Sequence, residues 1–75
     1  MANHDELSQM YRRRKAALTR ALSTGDPHRV IVACDDALAE FARVGYPDTW
    51  SRWQREREDA LLAVARARDP WLVGA

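Results

Sequence analysis

This chain has almost nothing that could staple it. Cys34 is the single cysteine, so no disulfide can close within the chain. With only His4 and His28 beside that thiol, there is no set of four ligands for a structural zinc, and no metal or cofactor is expected. Glycine and proline are scarce too, three of each, and they fall mainly at two junctions and in a C-terminal tail. Long apolar runs are missing: nothing approaches the roughly 20 residues of a membrane span. The start, Met1-Ala2-Asn3-His4-Asp5-Glu6, is acidic where a signal peptide would be basic and then apolar. The expectation is a cytoplasmic protein without a membrane partner. Neither sign of charge dominates, the formal net charge being +1, so no global field draws the chain to nucleic acid or lipid.

What is present suffices for a core. Hydrophobic residues make up 47% of the 75 and charged residues 31%, too apolar a mixture for a disordered tail. A chain of this length holds one domain, expected over residues 1–69 with a tail over 70–75. Folding buries only about 60 to 65% of the surface exposed by so short an unfolded chain, so the stability margin is thin. Unstapled small domains often offset this by oligomerising, and a homo-oligomer is therefore expected.

The junctions predict three helices. Gly25-Asp26-Pro27 reads as a C-terminal glycine, an N-cap aspartate and a proline at the first helical position. Gly45-Tyr46-Pro47-Asp48 repeats the pattern, with Asp48 as the second N-cap, and Asp69-Pro70 closes the last helix. Helices are expected over about 3–24, 27–44 and 49–68, the first opened by Asn3 and Glu6 at capping-box spacing. At 100° per residue each has one apolar face. Leu18 and Leu22 anchor the first, Val30 and Phe41 the second, and Trp50, Trp53 and Leu61 the third. Nothing alternates as a strand would. Short connections between rods of similar length predict an all-α antiparallel three-helix bundle. The alternative is a long helical hairpin that completes its core as a homodimer.

No glycine-rich phosphate loop, Ser-His-Asp set or zinc spacing is present, and no cleft is expected in so small a bundle, so the chain reads as a non-enzyme. Asp35, Asp36 and Glu40 form an acidic side on the second helix, and Cys34 faces the apolar stripe as filler. Recognition must then use outer faces. Arg12, Arg13, Arg14 and Arg20, with Lys15, make the first helix basic. Such a face is either solvated, docked on an acidic protein, or set against phosphates. Arg14 and Arg57 fall on the apolar stripes where leucine would pack best. Each must snorkel, pair with an acid such as Asp35 or Glu58, or face a partner chain. Trp71 and Leu72 in the tail either fold back or are offered to another protein.

Tyr11-Arg12-Arg13-Arg14-Lys15-Ala16-Ala17-Leu18-Thr19, Gly25-Asp26-Pro27 with Val30-Ile31, and Gly45-Tyr46-Pro47-Asp48-Thr49-Trp50-Ser51-Arg52-Trp53 with Asp59-Ala60 together resemble small helical proteins of actinobacterial phages and prophages. The resemblance runs from about Tyr11 to Leu62 and implies context rather than chemistry: a phage-type accessory protein in the bacterial cytoplasm, acting on a host or phage protein. Joined to the reading of the residues, it gives the expectation of a regulatory protein-protein interaction module. A nucleic-acid-binding regulator using the basic face of the first helix and a small virion component are the alternatives.

Overall fold

Two left-handed glycines and one capping aspartate set where this chain turns. The computed structural model describes residues 4–45 and 50–68. Within them lie three helices, α1 (His4–Ser23), α2 (Pro27–Val44) and α3 (Trp50–Arg68), and no strand. Gly25 follows α1 at φ +73°, and its amide donates to the Leu22 carbonyl at 3.2 Å. A positive φ of this kind strains any side chain with a Cβ, which is why glycine stands there. Thr24 Oγ1 donates to the Ala21 carbonyl at 2.6 Å, satisfying another acceptor at the helix end. Asp26, extended at φ −96° and ψ 109°, then accepts from the His28 amide at 2.9 Å, and Pro27 opens α2 without needing a donor. Gly45 ends α2 at φ 71°, its amide reaching the carbonyls of Ala42 and Phe41. Asp48, the second expected N-cap, and Asn3 lie outside the described residues, as do Trp71 and Leu72.

The helices form a three-helix bundle. α2 is its centre and packs against both neighbours, more extensively against α3 than against α1. Met10, Leu18 and Ala21 of α1, Val30, Cys34, Ala37 and Phe41 of α2, and Trp53 and Ala60 of α3 are the buried core. Trp53, the largest fully buried side chain, ties all three helices together. It meets Tyr11 of α1 edge-on at 5.5 Å and Phe41 of α2 edge-on at 4.9 Å, the arrangement favoured by the ring quadrupoles. Its indole nitrogen is buried with no hydrogen-bond acceptor among the described residues.

The helices are staggered rather than flush. Arg14 lies against Glu40, and Arg57 against Asp35. Extending these antiparallel registers residue by residue brings Ser23, the end of α1, about level with Leu61, so the last turns of α3 run on past the end of α1. The molecule extends 48 Å along its long axis, beyond the roughly 30 Å of one 20-residue helix.

Two expected core positions are not buried. Leu61 is 41% exposed, because the buried line of α3 runs through Trp53 and Ala60 and leaves Leu61 about 100° round the helix from it. Leu22 is 39% exposed. It faces α3 where the apolar side chains that helix offers are Ala60 and Ala63, and an open gap of ≈ 220 Å³ remains there, edged by Glu56 and Asp59. Leu18, Val30, Phe41 and Trp53 are buried as expected. Trp50 begins α3, but its side chain lies outside the described residues.

Candidate functional site

Three acids on α2, expected as one acidic side, have different surroundings. Glu40 lies against α1, where Arg14 Nε donates to its Oε1 at 2.7 Å, and Arg43 Nη2 stands 3.5 Å from Oε2. Asp35 lies against α3 and accepts from Arg57 Nε at 2.6 Å. Asp36 lines the outer side of the α1–α2 contact. Five residues, about 1.4 helical turns or a net 140°, separate Asp35 from Glu40, enough to send them to opposite neighbours. The two arginines on the apolar stripes are thus answered within the chain. Arg57 pairs with one of the acids the sequence suggested, whereas Arg14 pairs with Glu40, which the wheel had grouped elsewhere. Both arginines keep partial access to water, with side chains 30% exposed at Arg14 and 40% at Arg57.

The hydrogen bond from Arg14 holds the Glu40 carboxyl below its ordinary value. Burial opposes this, and the charges of Arg14, Arg13 and Arg43 add to it. A carboxyl that is more acidic when folded contributes stability above its ordinary value of 4.5 and loses that contribution as pH falls through the lower folded value. Glu40→Gln is therefore expected to lower stability at pH 7 by about 1 kcal/mol and to flatten the acid limb of the stability curve. Urea unfolding followed by circular dichroism from neutral pH downward measures both. An acid limb of undiminished slope would show that another carboxyl governs it.

Cys34 is fully buried in the core, and burial, followed by the charges of Glu56 and Asp35, pushes its thiol up to about 11. That is the reverse of what a nucleophile or metal ligand needs. Among the described residues, no group of three or more His, Cys, Asp or Glu side chains is placed to hold a metal ion.

One feature among the described residues with room for another molecule is a groove between α1 and α2. It has a volume of ≈ 580 Å³, is wide open, and no residue of α3 lines it. Its floor is small and apolar, from Ala17, Ala21 and Ala33, with Val32 at the side and 59% exposed. Arg20 and Arg29 stand at its edges, with His28 and Asp36. A second depression, lined by Arg13, Arg14 and Glu40, shares Ala17 and Arg20 with the first and prolongs it toward the N-terminal half of α1. No cleft was expected from the sequence. One arises because alanines on both helices leave their outer junction shallow and unfilled, while the large side chains point to the other side, where α3 lies.

Of the expected partner-binding residues, Arg13 and Arg20 come to this groove and Arg12 is exposed on the same helix. Arg57 lies across the molecule in the α2–α3 contact. Arg29 and Val32 had not been singled out. A signal was available: Val32 stands about 160° round α2 from the buried Cys34, where a solvated helix would carry a polar residue.

None of the family models, curated proteins or solved structures compared with this chain matches it. Among the described residues, no helix is long and apolar enough to cross a membrane.

Proposed function

We propose that this chain is a small phage-type accessory protein of the bacterial cytoplasm, a self-associating interaction module that binds a host or phage protein and carries out no catalysis of its own. The observation that supports this is the open α1–α2 groove, apolar along its floor and edged by Arg20 and Arg29, with Arg13 farther along. A floor of alanines lets a partner backbone come close, and an arginine on either wall suits acidic side chains flanking an apolar stripe. An amphipathic helix with acidic edges has both properties. Two of the three acids on α2 are held by arginines of the neighbouring helices, Asp35 by Arg57 and Glu40 by Arg14.

The test is affinity capture of the tagged chain from host lysate, with and without nuclease, followed by mass spectrometry. One specific protein is expected to survive nuclease treatment. Its recovery is expected to fall roughly tenfold or more with Val32→Asp, and likewise with Arg20→Glu combined with Arg29→Glu, as the loss of more than about 1.4 kcal/mol requires. These positions are exposed, so helicity should be unchanged. Recovery of nucleic acid alone, abolished by nuclease and by replacing Arg12 and Arg13 with alanine, would instead favour a nucleic-acid-binding regulator. Stoichiometric presence in purified particles would favour a virion component.

A further inference from the structure

The C-terminal half of α3 carries apolar surface that the bundle does not cover. Leu61 and Leu62 are 41% and 53% exposed, and with Glu58 they line a shallow concavity of ≈ 380 Å³. Adjacent exposed leucines on a helix of otherwise polar outer surface are unfavourable in water unless something covers them.

Charge along this face has an order. Glu58 and Asp59 stand one turn before Leu62, and Arg66 stands one turn after it. All three are exposed, and none takes part in the ion pairs of the described residues. If a second α3 lay parallel to the first, each charge would meet its own kind. If it lay antiparallel with the two-fold axis at Leu62, the leucines would meet each other. Glu58 would then stand level with Arg66 of the second copy and Asp59 one residue from it, and Arg66 likewise against the acids of that copy. The face is therefore self-complementary in one orientation only, as an isologous interface requires.

We propose that α3 packs antiparallel against α3 of a second copy of this chain, with the two-fold axis at Leu62, the Leu61 and Leu62 side chains as the apolar centre, and Glu58 and Asp59 paired across the interface with Arg66. This specifies the self-association contained in the proposed function, but it uses a face remote from the α1–α2 groove, so loss of dimer and loss of capture are separate results. One helix face buries less than the roughly 1,200 to 2,000 Å² of a stable complex, and dissociation at about 10 μM to 1 mM is expected.

Sedimentation equilibrium of the full chain across that range tests the proposal. The wild-type mass is expected to rise toward twice the monomer value with concentration, and Leu62→Glu is expected to stay monomeric with its helix signal intact. Arg66→Glu alone, and Glu58→Arg with Asp59→Arg, should each remain monomeric, because each places like charges across the two-fold. An equimolar mixture of those two variants should dimerise, since each then supplies what the other needs. A wild-type chain of monomer mass throughout, or a mixture of the two variants that stays monomeric, overturns the proposal.

Discussion

Trp53→Ala is expected to cost about 3 to 5 kcal/mol, enough to leave much of the protein unfolded under conditions in which the wild type is folded. A chain of this size has a total stability of roughly 4 to 11 kcal/mol, and a small unstapled one should sit toward the lower end. Trp53 is the largest fully buried side chain and the meeting point of Tyr11 and Phe41, so its removal opens a cavity bordered by all three helices. Trp53→Phe should be far milder, lowering stability by about 1 kcal/mol. The smaller ring loses packing but also removes the buried indole N–H, which has no acceptor among the described residues, a lack that costs about 1 to 3 kcal/mol. Urea denaturation followed at the helix signal ranks the three proteins. A Trp53→Ala midpoint near that of the wild type would mean that the core is centred elsewhere.

The elements of this fold were legible because their signals are local. Gly25, Asp26 and Pro27 each act within one turn of their own position, and the apolar periodicity of α2 names Val30, Cys34 and Phe41 without reference to any other helix. What a wheel cannot supply is the register between helices. Leu22 and Leu61 both lie within or beside an apolar stripe, yet each is left exposed by how its helix is placed and turned against its neighbours. That offset comes from long-range contacts, the edge-on packing of Tyr11, Trp53 and Phe41 and the reach of Arg14 to Glu40. The same limit hid the groove. Alanines on α1 and α2 read as weak core positions, and only the placement of α3 on the far side turns their junction into an open channel. The pairing of Arg57 with Asp35 was accessible because a guanidinium on an apolar stripe calls for an acid and few stood on suitable faces. The choice of Glu40 for Arg14 depended on the α1–α2 register.

Cys34 offers a second large effect, this time in alkali. The thiol is neutral when protonated, and the folded protein holds that proton up to about 11, against an ordinary value of 9.0. Below 9 the folded and unfolded forms are both protonated, and the buried thiol costs nothing. As pH rises from there, the unfolded form gains by releasing its proton while the folded form cannot. Stability therefore falls across the window from 9 to 11, by roughly 2 to 3 kcal/mol for a gap of that size. Cys34→Ala should flatten this alkaline limb, at the cost of a lower plateau near neutrality because the sulfur fills core volume. Thiol labelling gives the same physics kinetically. At pH 8 the folded protein should react at least about 100-fold more slowly than the urea-unfolded chain, since both thiolate fraction and access are suppressed. The rate should track global unfolding, with Trp53→Phe labelling faster than wild type in proportion to its lost stability. Labelling of the folded protein as fast as that of the unfolded chain would mean that α2 leaves its two neighbours far more often than a packed centre can.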